Sequence, residues 1–300
     1  MSLEDPVVIT CSISGAIANR EQCSAIPYTP GEYAAEARRI VDEGGVMIHI
    51  HARKPDGTPS YEIEDFQAIS EAIRGEVGEA AIINFSTGTI GVPVAKRIEY
   101  LRACRPEVAA LNMGSMNYAK YSRSRKRFVF SMVFQNPFEE IVELLEAMNE
   151  LGIKPEHECF DIGHIGSLAP LIDMGVLRTP LHVDCVMGVL GGIPPTARNL
   201  AAMVENLPGE GASGGPKSHW GVIGVSREQW MLVAAALALG GSVRVGLEDN
   251  LYLPDGTMAR SNGELIAKAR QMTTDIGRRP ATVQEARAML CVAAREGSPA

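Results

Sequence analysis

Apolar runs and helical patterns alternate along the whole chain. The apolar, β-branched runs start at Val7 ("VVITCSI"), Val46 ("VMIHIHA"), Ala80 ("AAIINFS"), Val108 ("VAALNMG"), His157 ("HECFDIG"), Leu181 ("LHVDCVMG"), His219 ("HWGVIGV") and Ser242 ("SVRVGLE"). Their near-continuous apolar character predicts strands covered on both faces, as in a parallel sheet. Between the first two, "TPGEYAAEARRIVDEGG" from Thr29 opens on Thr-Pro with early acids and closes on Gly, which are helix start and stop signals. Similar signals predict helices over 63–77, 93–104, 137–151, 195–206, 226–239 and 261–276. Two stretches predict irregular chain: 117–136, a long connection of mixed polarity, and 207–217 ("LPGEGASGGPK"), a Gly/Pro/Ser loop.

Eight strands alternating with helices in 300 residues predict a (β/α)₈ barrel forming one domain over 1–300. A doubly wound open sheet is the alternative. Against it, the first strand runs into "SISGAIANREQ", which lacks the Gly-x-Gly-x-x-Gly turn of that fold. In a barrel the C-terminal strand ends line the active site, and that rule selects the candidate residues.

Composition narrows the class of protein. The apolar fraction of 46% is that of an ordinary globular core. With a net charge of -8 and no basic run beyond "RSRKR" at 123–127, a nucleic-acid partner is not expected. The longest apolar stretches, such as "WMLVAAALALGG" from Trp230, fall short of the ~20 residues that cross a bilayer, so no membrane is expected either. The amino terminus has no basic region of a secretory signal, and the six cysteines show no CxxC spacing. A reduced, cytoplasmic protein is the expectation. A catalytic thiol at Cys159 or Cys185 is the less favoured reading, since a buried thiol usually acts as a small hydrophobe.

His49 and His51 alternate with Ile48 and Ile50, so a strand directs both imidazoles to one side. Two readings are open: a pair of nitrogen ligands for a metal such as Zn²⁺, or two hydrogen-bonded histidines in a polar barrel mouth. The last strand region, "VRVGLEDN", sets Arg244 four residues before the adjacent carboxylates Glu248 and Asp249. Because the last strand of a barrel closes on the first, Glu248 could complete a His₂Glu site; an ion pair closing the barrel is the other reading. An arginine there would hold a carboxylate ionised and lower its pKa. Ser86, Thr87 and Gly88 in "NFSTGTIG" suit an anion cradle or ordinary helix-start chemistry. Glu158, Asp161 and Asp184 are further acidic candidates. The loop "GVLGGIPPT" reads either as a ligand cover or as a structural turn.

Taken together, "HIHAR", "NFSTG", "ALNMGSMN", "HVDCVMGVLGG" and "RVGLEDNLYLPDG" followed by "SN" resemble the β-keto acid cleavage enzymes, first characterised as 3-keto-5-aminohexanoate cleavage enzymes. The resemblance runs from the first strand to about residue 290. It implies a homotetrameric (β/α)₈ barrel with a divalent metal, usually Zn²⁺, that condenses a β-keto acid with acetyl-CoA to give acetoacetate and a new acyl-CoA. On matching positions it implies His49, His51 and Glu248 as ligands. It further implies Arg244 with Asp249 as the base that forms the carbanion equivalent of acetyl-CoA. Ser86, with Thr87 and the backbone at Gly88, would hold the keto acid's carboxylate, and Glu158 would stand at another acidic position.

Two positions depart from the aminohexanoate-cleaving pattern: Ile17 replaces an acidic residue in the loop after the first strand, and Ala110 replaces a hydroxyl on the fourth. An ammonium group would find no partner at Ile17, which predicts a neutral or apolar side group on the keto acid. Two other functions fit parts of the pattern. A metal-dependent hydrolase of the amidohydrolase type usually has its His-x-His on the first strand, whereas here it is on the second, and His164 and His182 match that role poorly. In a non-catalytic barrel that only binds metal and CoA, a base beside the metal would have no use.

Overall fold

The computed structural model describes residues 4–208 and 218–292. Eight parallel strands close into a barrel: β1 Ile9–Ser12, β2 Met47–Ile50, β3 Ile82–Ser86, β4 Val108–Asn112, β5 Lys154–Cys159, β6 His182–Met187, β7 His219–Gly224 and β8 Ser242–Val245. The β8–β1 seam pairs Arg244 with Thr10, and β1 pairs Ser12 with His49 of β2. All eight predicted strands are present, and the predicted helices appear as Pro30–Asp42, Ile63–Val77, Val94–Cys104, Phe138–Leu151, Ala197–Glu205, Gln229–Leu239 and Asn262–Asp275. Of the loop predicted over 207–217, residues 209–217 lie outside the described residues.

Strand alternation sorts the residues into two environments. Ile9, Cys11, Ile48, Ile50, Ile83 and Phe85 turn outward into the main core beneath the helices. Each such fully buried side chain contributes roughly 1.5–3 kcal/mol, which anchors the strands from outside. Cys159 and Cys185 belong to this outward set, and burial pushes both thiols up, away from nucleophilic use.

The inward set is layered. At the N-terminal end of the barrel Val8, Met47, Ile82 and Val108 form an apolar floor against Ala281, Ala286 and Leu290. The helix Val283–Leu290, which carries two of these, was not among the predicted helices; neither were the short helices Ile162–Gly166 and Leu168–Asp173. Above the floor sits a polar layer: His49, Asn84, Glu156, His182 and Asp184, all buried. The candidate site lies above it.

One prediction is overturned. Residues 117–136 are not an irregular connection: Met116–Ser122 and Arg127–Phe134 form an antiparallel hairpin standing on the C-terminal side of β4. Its inner face packs Met116, Tyr118 and Phe134 against Phe160, Val186, Val189 and Ile223 at the ends of neighbouring strands. The loop after β6 clamps it from the side, the Ala119 N–H donating to the Leu190 carbonyl at 3.2 Å.

Candidate active site

Arg244 is the centre of the arrangement. Fully inside the barrel at 3% exposure, its guanidinium meets three carboxylates at once: Nη1 donates to Glu158 at 2.9 Å, Nη2 to Glu248 at 2.8 Å, and Nε to Asp249 at 3.0 Å. Only a planar fork with several fixed donors can do this; an ammonium would serve one partner well. Asp249 receives a further bond from Ser12 Oγ at 2.5 Å, across the β8–β1 seam.

The electrostatics separate the two adjacent carboxylates. Burial pushes Glu248 up, but the attraction of the facing imidazoles and of the Arg244 guanidinium outweighs it and holds the group well below its ordinary value. Asp249 goes the other way: burial raises it, and the neighbouring Glu248 adds to the rise against the pull of Arg244. The expectation that arginine lowers a carboxylate therefore holds for Glu248 and is reversed by burial at Asp249. Glu158 is pushed up to about 8 by burial, against the attraction of Arg244.

His49 and His51 face Glu248. His51 Nε2 is 3.4 Å and His49 Nε2 3.8 Å from Glu248 Oε1, and one ligand atom from each of the three lies within 4.8 Å of the others. Two ligands at ~2.1 Å on a tetrahedral Zn²⁺ sit roughly this far apart. Buried Glu248 Oε2 and His49 Nδ1 have no hydrogen-bond partner among the described residues. The burial keeps the His49 imidazole neutral, since burial and then the Arg244 charge lower its pKa, and neutral imidazole is the ligating form. This donor set fits a divalent metal.

Local structure holds these groups in place. The His51 carbonyl accepts from Tyr33 Oη at 2.7 Å and Ser14 Oγ at 3.2 Å, fixing the chain just past β2. Gly15 lets the loop after β1 press on Glu248: a Cβ there would come 2.6 Å from Glu248 Cγ, and its φ of 61° favours glycine. Arg53, from the loop after β2, binds the carbonyls of Ser14, Gly15 and Ala18, so the Ile17 segment is tied down while Ile17 itself stays 55% exposed. Asn262 receives the Leu247 N–H at 3.0 Å and donates to the Ile13 carbonyl, pinning the backbone that presents Glu248.

Across the barrel, Ser86 ends β3 two residues beyond Asn84, the register partner of His49. Its hydroxyl accepts from the Gly88 N–H at 3.2 Å, leaving its own hydrogen for a ligand. The Thr87 hydroxyl donates to the Ala110 carbonyl and is occupied there. Gly88 gives room to Asn112: a Cβ would meet Asn112 Nδ2 at 2.9 Å. Asn112, paired in register with Glu158, thus adds an amide beside Ser86.

Ser12, Asn112, Asn262 and Glu156 were not singled out in the sequence, although Asn112 and Asn262 fall inside the motifs quoted above. Glu156 accepts from Asn84 Nδ2 at 2.7 Å and lies 3.9 Å from His49 Nδ1. Asp184 belongs to the same buried layer rather than to the mouth, with His182 Nε2 3.3 Å away. Asp161 accepts from the Gly163 N–H as the cap of a short helix, and His164 accepts from the Phe160 N–H, so both have local roles.

Comparison with known proteins identifies the family. The family model for beta-keto acid cleavage enzyme matches residues 6–292. A 3-keto-5-aminohexanoate cleavage enzyme of Fusobacterium nucleatum is 35% identical over 286 residues, covering 95% of this chain and 98% of that one. A 3,5-dioxohexanoate:acetyl-CoA acetone transferase of Paraburkholderia graminis is 36% identical, covering 97% of each. Among solved structures, ObcA in binary complex with oxaloacetate superposes with a TM-score of 0.75 at 21% identity, covering 90% of this chain and 68% of that one, a likeness of fold. A whole-chain family match and relatives above one-third identity, on a barrel whose strand ends gather these residues, place the chain in the beta-keto acid cleavage enzyme family.

Proposed function

We propose that the chain, working as one barrel domain, transfers the acyl part of a β-keto acid to the CoA of acetyl-CoA, giving acetoacetate and a new acyl-CoA. The observation that carries this reading is the Arg244 fork, which holds the Asp249 base beside a His₂Glu ligand set. The 3,5-dioxohexanoate:acetyl-CoA acetone transferase at 36% identity supports acetyl-CoA as co-substrate.

Atom balance corrects one expectation. Acetoacetate keeps the keto acid's carboxylate and its C2, so the carbanion equivalent forms at C2 of the keto acid and not on acetyl-CoA. A bond forms from C2 to the acetyl carbonyl carbon as the acetyl C–S bond breaks; the released CoA thiolate adds at C3, the C2–C3 bond breaks, and the electron pair left at C2 takes a proton back from Asp249. Asp249 accepts the C2 proton; burial raises its basicity, and the Ser12 and Arg244 bonds aim it. Ser86, the Gly88 backbone and Asn112 hold the carboxylate, and Glu158, which burial pushes up, has its charge balanced by its bond to Arg244. His49, His51 and Glu248 would hold a divalent ion, Zn²⁺ by choice of ligands, which would supply Lewis acidity toward the ketone oxygen. Ile17, which offers no charge to an ammonium group, favours a neutral or apolar side group, and Ala110, which offers no hydroxyl, leaves Ser86 and backbone donors to carry more of the carboxylate binding. The reading goes with a homotetramer in the cytoplasm, supported by the family and by free cysteines.

The test is acetoacetate release from acetyl-CoA with a panel of neutral, anionic and amino-substituted β-keto acids, using metal-replete and chelated protein. Turnover that needs both thioester and metal, fastest with neutral side groups, is the expected result. Consumption of the keto acid without thioester, with no acetoacetate formed, would overturn it in favour of hydrolysis.

A further inference from the structure

Between Val108 and Pro137 the chain has five cations, Lys120, Arg123, Arg125, Lys126 and Arg127, and no Asp or Glu, although acids outnumber bases 36 to 28 overall. All five lie at the outer end of the hairpin, exposed, and none forms an ion pair among the described residues.

The rest of the hairpin is ordered by polarity along its length. Its root is aromatic and packed at the barrel mouth, with Phe134 against Phe160 at 6.2 Å and Tyr118 stacked on Phe130 at 5.9 Å. Burial raises the Tyr118 phenol, and the charges of Glu248, Asp249 and Glu158 add to the rise, so this face looks onto the acidic site. At the outer end Tyr121 and Phe128, 46% and 57% exposed, form an edge-to-face pair at 5.6 Å among the cations. At ~3.3 Å per residue, the strand Met116–Ser122 carries the tip roughly 20 Å from the root.

We propose that the hairpin tip docks the phosphorylated nucleotide end of the thioester co-substrate, a proposal that rests on the acetyl-CoA reading above. Coenzyme A thioesters have this order of chemistry: a reactive sulfur, a long neutral arm, then phosphates and a purine. The hairpin offers the matching series of aromatic root, neutral strand and cationic, aromatic tip. Guanidinium groups pair phosphate oxygens, and exposed rings stack on a base. The cations also draw a polyanion toward a mouth that is otherwise acidic.

The test compares the metal-loaded protein with the variant Arg123→Gln/Arg125→Gln/Lys126→Asn/Arg127→Gln; Asn suits position 126, where φ is 50°. Calorimetry would measure binding of coenzyme A and of acetyl-pantetheine, which lacks the nucleotide. The expected result is that coenzyme A binds the variant about tenfold or more weakly and loses most of its salt dependence, while acetyl-pantetheine is unaffected. Equal coenzyme A affinity in both proteins would overturn the docking proposal and leave the thioester reading intact. Failure of the unaltered protein to bind coenzyme A would sink both. Weakened binding accompanied by a changed subunit number in light scattering would make the tip a subunit contact and likewise overturn it.

Discussion

Arg244 and Asp249 meet through two bonds, Nε to Oδ2 at 3.0 Å and Nη2 to Oδ1 at 3.2 Å, while the same guanidinium also binds Glu158 and Glu248. Replacing it with lysine keeps the charge and loses the fork. Arg244→Lys is expected to cut kcat by about 10²-fold or more, because one ammonium cannot orient three carboxylates. Steady-state kinetics with rates near those of the unaltered enzyme would remove Arg244 from its proposed place.

Ligand and base are separable. His49→Ala is expected to lose bound metal together with activity, whereas Asp249→Asn should retain metal and lose turnover by roughly 10²–10⁴-fold. Elemental analysis alongside kinetics decides: stoichiometric metal in His49→Ala would refute the ligand assignment.

In the proposed mechanism Ser12 acts on the reaction only through Asp249. Ser12→Ala should lower kcat about tenfold with KM for the keto acid unchanged, since the lost hydrogen bond, ~1–2 kcal/mol, aims the base and does not touch substrate. A change confined to KM would argue for a substrate contact instead.

Acid sensitivity is expected from a group outside the site. His157 is buried on the outward side of β5, its Nδ1 2.7 Å from the His182 carbonyl, and burial lowers its pKa from 6.5 to about 3. Between these values the unfolded chain binds a proton that the folded chain does not, so stability falls as pH drops through the window 6.5 to 3. In urea titrations His157→Gln should show a shallower acid-side loss than the unaltered protein. Parallel pH profiles would mean that other groups govern it.

The parts of the site that the sequence made legible obey short-range rules. His49 and His51 share a side because strand parity dictates it, and Arg244, Glu248 and Asp249 are near one another along the chain. Ser12 and Asn262 were hidden because each bonds a partner more than two hundred residues away, Asp249 and Ile13, and neither residue type is chemically conspicuous. Asp184 gave a misleading signal: an acid in an apolar run suggests a strand end, yet here it fills a polar middle layer with Glu156, which the sequence did not single out. The hairpin escaped because its turn, "SRSRK", has none of the Asn-Gly or Gly signals of tight hairpins, and its outer face stays exposed.

The bond between Ser12 and Asp249 joins residues 237 positions apart across the seam that closes the barrel. During synthesis, the strands bearing the two histidines are complete long before the segment that carries the guanidinium and the base leaves the ribosome. A partly made chain thus holds the two histidines without the third, carboxylate ligand, the guanidinium or the base. On the proposed mechanism, proton removal therefore waits for the seam to close.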